Sequence, residues 1–264
     1  MINFNFSIHS YKLIKEIFLL NIVISLVALI GNVIFSVSLI FSLCVLIYLI
    51  LESLKRPKRT IYIILGIKLT FDMLWYIKLP LLGGFSFGML EVIFLPLLIT
   101  FLRSDYSNKI NFFFLFISFL LIYWQFAFGI NGNLTIDGFF RSSGILIGLL
   151  CALILVRESR DFNLIVTCIF ISTIFPVLLT FVQYILDLGG VEILFSKGGG
   201  VLRGKRLSGL YYDPATSGMV SLISIISGLY LIIINYFDRR YIYTIIAIAG
   251  FMCIIGQTRS ILFI

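Results

Sequence analysis

Long apolar stretches separated by short polar ones run the length of the chain, and the breaks fall at the spacing of membrane crossings. A bilayer core of ~30 Å needs about 20 apolar helical residues per crossing. The stretch from Ile17 to Leu51 is too long for one crossing and too apolar for a loop, so it divides at Gly31 and Asn32, the turn-forming pair inside it. Further helices are predicted over Ile61 to Leu79, Phe87 to Leu102, Phe112 to Phe128, Phe139 to Val156, Leu164 to Leu186, Ala215 to Phe237, and Tyr241 to about Gln257. The expected fold is all-α, a polytopic integral membrane helix bundle of about nine transmembrane helices forming a single domain over 1–264. Neither an internal repeat nor a low-complexity tract interrupts the pattern.

Composition agrees with the pattern. The chain is 61% hydrophobic and 12% charged, with mean hydropathy +1.14, too little polar surface to cover a soluble globule. Its formal charge of +8 is then chiefly a topology signal, because inner loops collect Lys and Arg. With a cytoplasmic N-terminus, alternate loops turn inward and hold Lys12 and Lys15; Lys55, Arg56, Lys58 and Arg59; Arg103 and Lys109; Arg157 and Arg160; and Arg239 and Arg240. These make 12 of the 20 basic residues, whereas the outward loops around Asn32, Gly83 and Gly132 hold none. The first apolar run continues past signal-peptide length without a small-residue cleavage site, so an uncleaved anchor is expected.

Lys68, Lys78, Arg141 and Arg259 lie within or at the ends of predicted spans, and four cations remain: Lys197, Arg203, Lys205 and Arg206. They fall in the segment from Asp187 to Pro214, which the alternation places outside and which is the natural home of an external functional surface. Lys68 and Asp72, four apart on one helix, can neutralise each other, either as a structural pair or as a functional one. Lys78, Glu91 and Arg141 each lie within about two turns of an outward helix end, where snorkelling is the ordinary explanation. Glu91 has too short a stem to snorkel far, which favours a polar cavity or an arginine partner.

Cys44, Cys151, Cys168 and Cys253 are scattered through the predicted spans without a paired spacing, as expected of small buried hydrophobes. His9 is the single histidine, and there is no carboxylate cluster, so a transition-metal site has little to work with. No cofactor and no nucleic-acid partner are expected.

The segment Gly204 to Gly218, GKRLSGLYYDPATSG, concentrates the candidate chemistry. Arg206 precedes Gly209 by three and Pro214 by eight, and a helix is expected to begin near Ala215. Proline suits a helix start because its missing N–H would have no intrahelical partner there, and Asp213 is a candidate cap. A capped helix start with an incidental basic loop accounts for Asp213 and Pro214 but not for four external cations. Arg259, in GQTRSILFI, follows a helical run from Tyr241 that rises roughly 27 Å, so it reaches the outer face on the same side as Arg206.

An Arg, a Gly three later and a Pro soon after, opening one transmembrane helix, followed one helix on by Thr258, Arg259 and Ser260, resembles the O-antigen polymerase and O-antigen ligase family of bacterial envelope glycosyltransferases. The resemblance covers chiefly Arg203 to Ile264, together with the many-span hydropathy. It implies transfer of a glycan from undecaprenyl pyrophosphate to the hydroxyl of another lipid-linked glycan, on the outer face of the cytoplasmic membrane, with a chain-length regulator as a further partner. It also implies that Arg206 and Arg259 hold the pyrophosphate, suiting the planar donor fork of guanidinium. Arg203 and Lys205 would attract the anionic substrate, and Gly209, Pro214, Thr258 and Arg141 would complete its binding region. Glu91 and Asp213 are the candidates for general base.

Where ligases carry a Pro-Asn pair, this chain reads Asp213, Pro214 and Ala215, closer to the polymerase branch. Family members continue with a large external loop and further spans, so the resemblance implies a C-terminally truncated chain, with any ligase-type histidine in the missing part. Two rival expectations are an inactive fragment and a transporter of polysaccharide or lipid-linked sugar. The transporter reading would call for paired, interrupted helices in two related halves.

Overall fold

The computed structural model describes residues 8–31, 34–74, 78–81, 85–88, 93–103, 159–188, 211, 214–235 and 239–255. These are overwhelmingly helical: α1 (Ile8–Gly31), α2 (Phe35–Lys55), α3 (Pro57–Phe71, continued by a 3-10 turn at Asp72–Leu74), α4 (Phe94–Arg103), α5 (Ser159–Leu188), α6 (Pro214–Ile233) and α7 (Arg239–Ile255). Among the described residues, four helical stretches are long and apolar enough to cross a membrane: Ser10–Ile30, Ser36–Lys55, Phe162–Leu186 and Thr216–Ile233. The chain does divide at Gly31. The predicted spans over Phe112 to Phe128 and Phe139 to Val156 lie outside the described residues.

Side chains on these helices are sorted as lipid would sort them. On α2, Val37, Ile40, Leu43, Ile47, Leu51 and Leu54 point outward, whereas Ser38, Ser42, Val45, Leu49 and Ser53 are buried. In water that distribution would be reversed for serine and isoleucine. In lipid no hydrophobic force acts between helices, so small residues take the contacts and large apolar ones face outward, and the distribution on α2 follows that rule. Helix α6 repeats the arrangement, burying Ser217, Ser221, Ser224 and Ser227 while exposing Met219, Ile226, Leu229 and Ile233.

The all-helical expectation holds for the described residues apart from one short hairpin between α3 and α4. Lys78–Leu81 (β1) and Phe85–Gly88 (β2) pair as an antiparallel hairpin, with Lys78 opposite Gly88 and Leu81 opposite Phe85. Lys78 is therefore on a strand, four residues beyond the 3-10 turn that follows α3, rather than within a helix. Pro80 and the glycines Gly83 and Gly84 discourage helix through this stretch, and a two-stranded ribbon has only edges, where proline is tolerated. Consequently α4 is 10 residues long, about 15 Å, rather than the length of the predicted span from Phe87.

The chain forms two compact units: Met1–Leu39 with Leu65–Tyr76 and Asn163–Ile264, and Ile40–Ile64 with Ile77–Phe162. In the second, Glu52 near the end of α2 meets Arg59 in the first turn of α3 at 2.6 Å, and Pro57 occupies the first position of α3, where its lack of N–H costs nothing.

In the first unit α5, α6 and α7 pack as a trio. Val166, Phe170, Leu231 and Ile242 form a shared buried cluster, with Ile245 and Ile246 packed against it. A Cβ on Gly228 would lie 2.9 Å from Ile246 and 3.0 Å from Phe170, so a larger residue there would force these side chains to shift. Further along, Phe181 and Tyr184 meet the Phe251 ring at 6.1 and 5.5 Å, while Thr180 faces Ser217 at 3.5 Å. Helices α5 and α7 thus run parallel, with α6 antiparallel between them. Asn235 ends α6 with φ 52°, a left-handed stop that asparagine tolerates, and its Oδ1 accepts from Arg239 Nε at 2.8 Å.

Candidate functional site

Pro176 lies inside α5. Having no N–H, it leaves the carbonyl of the residue four earlier, Ser172, without its helical donor. An orphan carbonyl inside lipid must find another partner. Thr70 supplies one from near the end of α3, its hydroxyl lying 2.9 Å from Ser172 O. The same hydroxyl meets Asn21 Oδ1 of α1, so its single proton is shared between two acceptors.

Asn21 completes the junction. It is fully buried, and its amide donates to Ile17 O at 2.8 Å and Gly66 O at 2.7 Å. Both partners are acceptors only, which fixes the amide orientation. The bond to Gly66 needs α1 and α3 to approach closely, and a Cβ at Gly66 would stand 2.4 Å from Ile17 Cγ2. Asn21, Thr70 and the Ser172 carbonyl therefore knit three helices at the proline break. Because the donors of Asn21 are already engaged, the junction holds the bundle and offers no free group to a reaction.

The next turn of α3 is different in character. Lys68 and Asp72 form the expected ion pair, with side-chain exposures of 38% and 19%, so the pair is open on one side. Tyr211, three residues before α6, is buried and donates to Leu69 O at 2.7 Å. Burial, and secondly the Asp72 carboxylate, raise its phenol well above the usual tyrosine value. Tyr211 is thus held close to the ion pair.

Of the residues singled out from the sequence, Pro214 is described and opens α6, as expected. Arg206, Arg259, Arg203, Lys205, Gly209, Asp213, Glu91, Arg141 and Thr258 lie outside the described residues. Cys168 and Cys253 are buried and Cys44 is exposed on α2, all three as free thiols. Among the described residues no group of three or more His, Cys, Asp or Glu could hold a metal. Sequence reasoning overlooked Asn21, Gly66, Thr70 and Tyr211. The available signals were the amide of Asn21 in an otherwise apolar run and Pro176 inside a predicted span, since each demands a partner in lipid.

Comparison with protein-family models, curated proteins and solved structures finds no match to the chain.

Proposed function

We propose that the chain is a bacterial inner-membrane glycosyltransferase that polymerises glycan repeat units carried on undecaprenyl pyrophosphate, at the outer face of the cytoplasmic membrane. In this reading about nine helices cross the bilayer with the N-terminus cytoplasmic. Arg206 and Arg259 hold the two phosphates through bidentate contacts and stabilise the charge that builds on the departing pyrophosphate. Arg203, Lys205 and Lys197 attract the anionic carrier, and membrane lipid provides its second tether.

The observation that carries the reading is the common end of α6 and α7. Cys253, near the end of α7, lies 3.9 Å from the carbonyl of Gly218 in the first turns of α6. In sequence, Arg206 stands eight residues before Pro214 and Arg259 four after Ile255. Both arginines are therefore attached to the same end of one helical hairpin, as two ligands of a single pyrophosphate require. Parallel α5 and α7 also begin with Arg160 and with Arg239 and Arg240, at the opposite end, which agrees with an inward-facing basic side.

A second reading, transport of lipid-linked sugar, draws on Pro176, because broken helices with polar junctions are common in transporters. The test is polysaccharide length on a gel, in a strain lacking the chromosomal gene and complemented at matched membrane abundance. Arg206→Lys and Arg259→Lys are expected to yield no polymer, since a point charge cannot replace the planar fork, while Arg203→Ala and Lys197→Ala keep it. Full ladders from both lysine variants would remove the pyrophosphate-fork reading. Lipid-linked units accumulating on the cytoplasmic side would replace it with transport.

A further inference from the structure

The junction of Asn21, Thr70 and Ser172 holds more oxygen lone pairs than its hydrogens can satisfy. Both hydrogens of the Asn21 amide go to Ile17 O and Gly66 O. Asn21 Oδ1, Thr70 Oγ1 and the Ser172 carbonyl oxygen then share a single hydrogen, that of the Thr70 hydroxyl. Ser25 stands one turn beyond Asn21 on the same face of α1. It is 4% exposed, and its Oγ has no hydrogen-bond partner among the described residues. All four residues belong to one compact unit, and lipid supplies no donor to make up the shortfall.

Position adds to the imbalance. Gly66 lies against Ile17 and Thr70 against Asn21, so α3 runs parallel to α1 and ends at Phe71, level with about the middle of the Ser10–Ile30 span. Ser172 is likewise near the middle of Phe162–Leu186. A helix C-terminus carries partial negative charge, and the carbonyl freed by Pro176 adds to it. Two sources of negative potential, the end of α3 and the break in α5, therefore meet at mid-span. Lys68, two residues from Thr70 and so on the far side of α3, is paired with Asp72.

We propose that this junction binds a monovalent cation, sodium, through Asn21 Oδ1, Thr70 Oγ1 and Ser172 O, with Ser25 Oγ as a further ligand. Exposed carbonyls and helix C-terminal ends at mid-membrane are the means by which broken helices hold such ions. The ligands are neutral oxygens, which suits one charge, whereas calcium and magnesium sites are built with carboxylates. Close spacing, with Thr70 Oγ1 2.9 Å from Ser172 O, suits a small ion better than potassium. On binding, the Thr70 hydrogen turns to Gly66 O, the carbonyl one turn back on its own helix, and its lone pairs face the ion. The ion ties α1, α3 and α5 together at the proline break, and the site is independent of the glycan chemistry proposed above.

The full gene product, purified in detergent, is melted in sodium, potassium or choline chloride at equal ionic strength, and sodium binding is measured by equilibrium dialysis with radioactive sodium. The expected result is a saturable rise in Tm with sodium, none with choline, and a response to potassium at least about tenfold weaker in apparent affinity. Pro176→Ala returns an N–H to Ser172 O and so keeps the fold while weakening sodium at least about tenfold, as expected for one lost contact to a charge. Thr70→Val should abolish the response and Thr70→Ser should retain it. If Thr70→Val does not fold, Pro176→Ala decides. Equal melting in the three salts with no bound sodium would overturn the proposal and leave a buried water as the occupant. An equal response to sodium and potassium, or a sodium response unchanged in Pro176→Ala, would overturn it as well.

Discussion

The α5–α6–α7 trio has two ends, and they are bonded differently. At one end Tyr230 donates to Asn163 Oδ1 at 2.7 Å, Asn235 closes α6 with its left-handed turn, and Arg239 binds back to Asn235. The Val166, Phe170, Leu231 and Ile242 cluster packs directly inside these bonds. At the other end the cross-helix polar contacts are long, 3.5 Å from Thr180 to Ser217 and 3.9 Å from Cys253 to Gly218 O. There too Gln183 Oε1 is buried without a partner among the described residues. The first end is built for cohesion. Among the described residues the second is bonded more loosely by polar contacts across helices, and in sequence it is the end that Arg206 precedes and Arg259 follows. Functional regions are commonly drawn from the less stable parts of a fold.

Substitutions at the two ends should separate stability from activity. The largest structural effect is expected where packing is closest. Gly228→Leu would drive a side chain into Ile246 and Phe170, costing at least the 1–3 kcal/mol typical of overpacking, read as loss of folded protein in a detergent-resistance assay. Gly66→Ala should behave similarly against Ile17, and Gly66→Ala combined with Ile17→Ala should be more stable than Ile17→Ala alone would suggest if the two costs were additive.

A smaller cost is expected at the proline break between the ends. Thr70→Val keeps the shape but leaves Ser172 O and Asn21 Oδ1 without their donor, a loss of about 1–3 kcal/mol. In a Pro176→Ala background the restored N–H can bond Ser172 O within α5, so the same substitution should cost less. Equal costs in the two backgrounds would mean that Thr70 does not repair the break.

Much of this architecture was legible in the sequence, and the exceptions have physical causes. Gly31 marked the end of α1 and Pro214 the start of α6 because each residue restricts or frees the backbone by itself. Lys68 and Asp72 declared their pairing because one helical turn separates them. The hairpin was hidden because Lys78–Leu81 and Phe85–Gly88 are apolar enough to extend the neighbouring helical pattern. The junction was hidden for another reason: Asn21 finds Gly66 and Thr70 in a different helix, and Thr70 finds Ser172 in a third. Periodicity along one helix carries no information on such partners.

The tyrosines sharpen the contrast between the ends. Tyr230→Phe removes a bond at the cohesive end and should cost about 1 kcal/mol of stability with polymer unchanged. Tyr211→Phe removes a bond of the same kind but releases the segment before α6, so polymer should fall more than stability does. The smallest effect is on alkaline tolerance. Because the folded-state pKa of Tyr211 is raised, its contribution to stability is fully present below the ordinary tyrosine value of about 10 and is lost as pH rises through the higher folded value. Unfolding curves between about pH 8 and 11 should therefore decline less for Tyr211→Phe than for the parent protein.

The central claim is that Arg206 and Arg259 serve one site at the loosely bonded end. Spin labels on cysteines introduced at Leu207 and Ser260, in a background lacking the native four cysteines, measure it directly. Adjacent arginines sharing one pyrophosphate predict a narrow distance distribution centred below about 20 Å, allowing for the label arms and for phosphate contacts of about 2.8 Å at each guanidinium. A distribution centred beyond about 30 Å, unchanged in membranes containing undecaprenyl pyrophosphate, would leave no phosphate that both could hold and would contradict the account.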